Sequence, residues 1–287
     1  MDVQWYPGHM TKTIRQMQED VRLVDLVIEI LDARVPVSSR NPDIDRIAAG
    51  KSRLILLNKA DLADEAENRA WQNRFATDLG AAMLLDARKR IDKKKLIGMI
   101  QAACAEKIER DRAKGMKERP VRAMVCGIPN VGKSTFINKL AGVNKALTGD
   151  KPGVTKGRQW VRISQYLELM DTPGLLWGKL DDQESARRLA YIGSIRDDVM
   201  NVEEIAGSLL CELDTLCHDE LFARYPKLAK VEDRTVPEAL LEGVCLSRGF
   251  ILSGGVPDTE RAARIVLDEF RAGKIAKITL ELPENAQ

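Results

Sequence analysis

A mostly parallel α/β sheet followed by a smaller helical domain is the architecture this sequence predicts, and three observations carry the prediction. Short apolar runs alternate with amphipathic segments through the first 180 residues, the pattern of strands joined by crossover helices. A glycine-rich turn, "GIPNVGKS", stands between the run ending at Gly127 and a helical segment from Lys133. Beyond about residue 180 the texture becomes helical, with Leu209, Leu213 and Leu216 on one face and a later amphipathic stretch "ERAARIVLDEFRAG".

Taken in order, Ile14, Met17 and Val21 have helical spacing, and "LVDLVIEILDA" then reads as a buried strand ending near Asp32. "RLILL" (53–57) is a second strand, followed by a helix with Trp71, Phe75 and Leu79 four apart; "AAMLLDA" (81–87) is a third. Ile97, Ile100, Cys104 and Ile108 mark one face of a basic helix, which Gly115 and Pro120 separate from the strand "VRAMVCG" (121–127). After the glycine turn come a short helix, a Gly- and Lys-rich loop (144–158) and two strands, "QWVRI" and "YLELMD". "AKITLEL" (276–282) is a terminal strand candidate. The domains expected are 1–180, with a basic connector at 88–122, and a mainly helical 181–287 whose cluster of Arg261, Arg264, Arg271, Lys274 and Lys277 makes it a candidate for RNA binding.

Charged residues are 31% and hydrophobic ones 44%, and the most apolar early run is interrupted by Asp25 and Glu29, so no segment is expected to cross a bilayer. The N-terminus lacks the charged start and apolar stretch of a signal peptide, which predicts a cytoplasmic protein. Five cysteines, odd in number and without a CxxC pair, read as reduced thiols. The net charge of +2 hides an asymmetry: residues 88–122 carry 13 Lys or Arg against 5 Asp or Glu, whereas 181–287 carry 13 against 21. The basic segment suits a nucleic-acid partner.

"GIPNVGKS" matches GxxxxGK[ST] at Gly127, Gly132, Lys133 and Ser134, after a strand and before a helix, the context of a phosphate loop. Asn130, Val131, Gly132, Lys133, Ser134 and Thr135 would surround the phosphates, with backbone N–H groups pointing inward, Lys133 offsetting β/γ charge and Ser134 on Mg²⁺. "DTPG" (171–174) supplies Asp171 for the metal and the Gly174 N–H for the γ-phosphate. Thr155 in "PGVTKG" is the candidate second sensor and Mg²⁺ ligand, with Thr148 as rival. Asn58, Lys59 and Asp61 of "NKAD" select guanine. The Asp61 carboxylate accepts from guanine N1–H and the 2-amino group, donors that adenine lacks there. The Lys59 stem would lie along the ring, and Asn58 would brace the loop and reach N7. The expected ligands are GTP or GDP with Mg²⁺.

The order NKAD, GIPNVGKS, PGVT, DTPG resembles that of circularly permuted GTPases of the ribosome biogenesis GTPase A type, as do "WYPGHM" (5–10), "DARVPVSSRNP" (32–42) and "FRAGKIAKITLE" (270–281). The resemblance implies a phosphate-loop NTPase-like sheet with permuted motif order. It also implies a partner, the precursor of the large ribosomal subunit and its rRNA, engaged in the GTP state and stimulating hydrolysis. One departure stands at Asp86-Ala87, where the family's base-supporting pair is Ser-Ala; the useful atom there is the Ala87 N–H toward guanine O6. Leu175 follows the DxxG glycine where a Ras-like enzyme has a water-orienting glutamine, so slow intrinsic turnover is expected. By resemblance, His9 is the catalytic candidate acting on water, and Asn130 accompanies a K⁺ ion.

Three functions are compatible with a phosphate loop of this kind: a GTP-switched ribosome assembly factor, a metabolic phosphoryl-transfer enzyme and a GTP-binding signalling switch with a protein effector. NKAD disfavours an ATP-using kinase, and no acceptor-substrate constellation is visible. The assembly factor is the reading preferred, the signalling switch the alternative. Nothing in the residues implies DNA, a membrane or an oligomer.

Overall fold

Strands Leu26–Asp32 (β1), Ser52–Asn58 (β2), Ala82–Leu84 (β3), Val121–Cys126 (β4), Trp160–Ser164 (β5) and Leu167–Asp171 (β6) form one sheet in the order β3-β2-β1-β4-β6-β5. Every neighbouring pair is parallel except β5 with β6. The computed structural model describes residues 10–142, 160–176 and 182–283, which fall into two units, 10–176 with 281–283 and 182–280.

β1 is buried along its whole length, as a central parallel strand with both faces covered must be, and its near-continuous apolar run follows from that. Register sets the functional edge: Asp32 is opposite Asn58, and Val125 opposite Asp171. The carboxyl ends of β1, β2, β4 and β6 therefore meet along one rim, whatever their order in the chain.

Helices Met10–Asp20 (α1), Asp43–Ile47 (α2), Glu65–Leu79 (α3), Lys93–Ala103 (α4), Ala105–Ala113 (α5) and Lys133–Ala141 (α6) complete this unit. Asp64 and Asp92 cap α3 and α4 by accepting backbone N–H bonds in the first turn. On one sheet face, Met17, Val27, Ile44, Met124 and Met170 form one apolar cluster, and Leu31, Leu57, Trp71 and Phe75 another. Strand alternation puts Glu29 and Arg53 on that same face between the clusters. Glu29 is fully buried, 2.6 Å from Arg53, and burial raises its pKa despite that partner.

The connector differs from the expected single helix. It breaks at Cys104 into α4 and α5, and its buried stripe is Leu96, Ile100 and Cys104, with Ile97 and Ile108 only half-buried. Much of its charge is neutralised locally: Lys107 and Arg119 pair with Asp25, Lys107 also with Asp111, and Arg112 with Glu118.

In the second unit, Val202–Leu216 (α8) packs against Gln183–Tyr191 (α7), His218–Arg224 (α9), Pro237–Arg248 (α10) and Thr259–Arg271 (α11). Glu269 gathers Arg224, Arg248 and the Tyr225 hydroxyl, and although burial opposes it, these partners hold its pKa below the ordinary value. Among the described residues no helix is long and apolar enough to cross a membrane. All five cysteines are free thiols.

"AKITLEL" forms no strand; no sheet edge pairs with it. Its last residues instead bind the first unit through polar contacts. The Glu281 carboxylate accepts from the Val37 N–H (2.5 Å), the Ser38 N–H (3.1 Å) and the Ser38 hydroxyl. Trp71 Nε1–H donates to the Glu281 carbonyl at 2.7 Å, and Arg74 to that of Pro283. Glu281→Ala would leave these buried donors unmatched. The expected cost is about 2–3 kcal/mol, read as a lower urea midpoint with faster amide exchange at Val37 and Ser38.

Candidate guanine-nucleotide site

Asn58, at the last position of β2 and nearly inaccessible, joins three segments that are remote in sequence. Its Nδ2 donates to the Val131 carbonyl at 2.6 Å, and its Oδ1 accepts from the Ala87 N–H at 2.9 Å. The base-reading loop is thereby bolted to the phosphate loop. Gly132 lies against that amide: it has φ 101°, and a Cβ there would collide with Asn58 Nδ2. The Ala87 N–H, expected on guanine O6, is engaged by Asn58. The second Nδ2 hydrogen of Asn58 is the donor left for a purine N7.

At the base end, Asp61 pairs through Oδ2 with Arg88, while its Oδ1 is buried with no hydrogen-bond partner among the described residues. An orphaned carboxylate oxygen is costly to bury, and guanine N1–H or its 2-amino group would satisfy it. Asp86 accepts from its own turn, the Arg88 N–H at 3.0 Å, and lies 3.4 Å from Arg88 Nε and 3.5 Å from Lys89. Its burial is outweighed by these donors, and its pKa is lowered. The Asp-for-Ser departure thus holds a turn and steadies the arginine that contacts Asp61.

Lys59 (φ 59°) and Asn130 (φ 62°) are the two non-glycine residues with positive φ among those described. Both belong to the site, where local strain is often retained.

At the phosphate end, α6 begins at Lys133, whose ammonium donates to the Ile128 carbonyl at 2.7 Å. Burial depresses its pKa to about 8, against the pull of Asp171. Ser134 hydrogen-bonds Asp171, whose Oδ1 is buried and unpartnered among the described residues. Desolvation raises the Asp171 pKa more than Lys133, the Thr172 N–H and Ser134 lower it. A hydroxyl beside an orphaned carboxylate oxygen is a donor set that fits Mg²⁺. Val131 is buried, and Thr135 is exposed on the first turn of α6.

Gly174 packs on the phosphate loop so closely that a Cβ would sit 2.9 Å from Pro129 N and 3.0 Å from Lys133 Nζ. The next residue is tied on both sides: Leu175 N–H donates to Gly127 O at 3.3 Å, and Asn41 Nδ2 donates to Leu175 O at 3.0 Å. Leu175 and Leu176 are buried apolar side chains, so neither orients water. His9, Thr155 and Thr148 lie outside the described residues.

Sequence reasoning passed over the contribution of "DARVPVSSRNP" to this site. Asp32 reaches Lys59, and Asn41 reaches the segment after the DxxG glycine. The available signal was an aspartate at the end of a predicted strand, in the same expected sheet as the strand leading into NKAD.

A guanine reader two strands from the phosphate loop, encoded before it but bonded to it through Asn58, is the arrangement of a circularly permuted GTP-binding protein. Residues 122–219 match the family model described as "50S ribosome-binding GTPase". The chain is 42% identical over 284 residues to ribosome biogenesis GTPase A of Bacillus cereus, covering 99% of this chain and 95% of that protein. To its counterpart from Priestia megaterium it is 41% identical, covering 100% and 99%. A crystal structure of GNP-bound YlqF from Thermotoga maritima superposes with a TM-score of 0.67 at 28% identity, covering 96% of this chain and all of that one. The chain belongs to the ribosome biogenesis GTPase A family. It is a GTPase.

Two outcomes follow from this geometry. Asn58→Ala removes one bond to each of two segments, and GDP affinity should fall about thirtyfold, or about 2 kcal/mol, by calorimetry. Lys133 gives a pH dependence: phosphate raises its pKa from about 8, so binding takes up a proton above that pH and none well below it. GTP affinity should hold near pH 7 and then fall with rising pH, by up to about tenfold per unit. Calorimetry in buffers of different ionisation enthalpy should register uptake approaching one proton at pH 9.

Proposed function

We propose that this GTPase is a cytoplasmic assembly switch that binds the precursor of the large ribosomal subunit in its GTP state, the particle stimulating hydrolysis. The observation that carries the reading is a shallow cleft of about 640 Å³ lined by Arg90, Ile91, Asp92, Lys93, Lys94 and Lys139. Its four cations come from two segments, the turn before α4 with the first residues of that helix, and helix α6, and they are exposed. None forms an ion pair among the described residues, in contrast to the neutralised α5 region. Such a concentration of unpaired charge suits RNA phosphates. The cations of the helical unit support the reading less: Arg271 is held by Asp197 and two backbone carbonyls, and Arg264 pairs with Glu260. Lys274 and Lys277 are exposed there.

In this reading Ser134 and Asp171, with Thr155, hold Mg²⁺, which offsets charge on the β/γ-phosphates. Lys133 and the N–H groups of residues 130–135 orient the phosphates, and the Gly174 N–H meets the γ-phosphate. With buried Leu175 in the place of a polar side chain, intrinsic turnover is slow, and His9 orients water in the stimulated state. Asn130 accompanies K⁺. Loss of the γ-phosphate moves residues 171–178, and this re-aims the helical domain.

The full chain should sediment with large-subunit precursors in the presence of a nonhydrolysable GTP analogue and not with GDP; no association in either state would refute the assembly reading. Replacing Arg90, Lys93, Lys94 and Lys139 by Gln should weaken association and lower the log–log salt slope by about 3. GTP binding should remain as in the wild type.

A further inference from the structure

Beyond the three residues of NKAD that face the base, the described chain contains a buried device acting on one of them. Asp32 ends β1 and is completely inaccessible. Its neighbour in the sheet is Asn58, and the Ala33 N–H donates to the Asn58 carbonyl at 2.8 Å, which fixes Asp32 beside the residue that precedes Lys59. The carboxylate cannot rotate. Arg34, itself 1% exposed, grips both oxygens, Nε on Oδ1 at 2.9 Å and Nη2 on Oδ2 at 2.8 Å, and its backbone N–H adds a third bond to Oδ1. Ser39 Oγ accepts from the Asp32 N–H at 3.0 Å. Onto this locked acceptor Lys59 places its ammonium, 2.9 Å from Oδ2. Burial alone would raise the Asp32 pKa, but Arg34 and Lys59 hold it far below the carboxylate range, so the charge is permanent at working pH.

Lys59 needs such a hold. Its backbone is left-handed, a conformation disfavoured for a residue with a Cβ. Its side chain has four freely rotating carbons, which lose considerable entropy when pinned. Guanine recognition needs that stem to be extended beside the base as an apolar wall. Tethering the far end of the chain in the nucleotide-free protein removes the ordering cost from the binding step.

We propose that Asp32 is a positioning residue for guanine-nucleotide binding, acting through Lys59 by anchoring its ammonium so that the stem is preorganised against the base. Arg34 is the clamp that keeps Asp32 ionised and oriented. The arrangement accounts for a buried Asp–Arg pair, joined by a half-buried lysine, one strand away from the phosphate loop, at a place where the sheet alone requires no charge.

The test is a double-mutant cycle with Asp32→Asn and Lys59→Met on the full chain, the second variant keeping an unbranched apolar stem while removing the ammonium. GDP affinity is measured by calorimetry, with inorganic tripolyphosphate as a ligand that engages the phosphate loop and has no base. Each single variant is expected to weaken GDP binding roughly tenfold and to leave tripolyphosphate binding as in the wild type. The double variant should bind GDP no more weakly than Lys59→Met alone. Undiminished weakening by Asp32→Asn in the Lys59→Met background, or equal loss of tripolyphosphate binding, would assign Asp32 a merely structural role and overturn the proposal. Should Asp32→Asn fail to fold because Arg34 loses its charged partner, Lys59→Met still decides. It cuts the same tie and spares the Asp32–Arg34 pair, so wild-type GDP affinity in that variant would also sink the proposal.

Discussion

The amide of Asn58 is the constraint on which this site rests. One side chain donates to the phosphate loop at Val131 and accepts from the base-supporting turn at Ala87, while Gly132 has no side chain because the amide occupies the space. Separation of 73 residues along the chain is immaterial to a hydrogen bond whose ends are brought together by parallel strands. Permuting the chain therefore leaves the nucleotide site intact, because each motif is attached to a strand end and the strand ends are fixed by register.

The rim of the sheet holds two of the buried polar atoms that lack the usual pairing. Asp61 Oδ1 at the base end and Asp171 Oδ1 at the phosphate end are both buried and unpartnered among the described residues, some distance apart in sequence but on the same rim. Elsewhere on that rim the charges are satisfied, as Asp32 is by Arg34 and Lys59. Buried orphans of this kind destabilise a fold unless a ligand completes them, and guanine and a hard cation are the two partners whose chemistry matches. Left-handed Lys59 and Asn130 flank the same space. Two of the unmet buried atoms and both left-handed non-glycine residues among those described therefore fall in or beside the motifs.

The segment 32–42 is the structural centre of the unit although it carries none of the nucleotide motifs. Asp32 at its start holds the base-reading lysine, Val37 and Ser38 in its middle are held by Glu281, and Asn41 at its end holds the residue after Gly174. Lys59 of NKAD, the residue after Gly174 and Glu281 thus share one loop.

Much of this was legible in the residues. Alternating apolar runs announced the parallel sheet, and GIPNVGKS, NKAD and DTPG, each a local pattern of backbone shape and donor placement, stand at strand ends that register brings to one rim. Where tertiary partners decide, local pattern fell short: "AKITLEL" has strand-like alternation but its end is taken up by Val37, Ser38 and Trp71 and not by a sheet edge, and the connector buries Leu96 where Ile97 was expected because the stripe follows what packs against it. Asp86 looked like a disturbance of the base-supporting pair until its donors, Arg88 and its own turn, were in view. The sequence by itself determined the fold class and the ligand class, because those depend on periodicity and on short contiguous motifs. Only the tertiary structure decided that Asn58 couples the loops, that Asp32 tethers Lys59 and which cations remain unpaired, because each depends on groups brought together across dozens of residues, and no local pattern encodes that proximity.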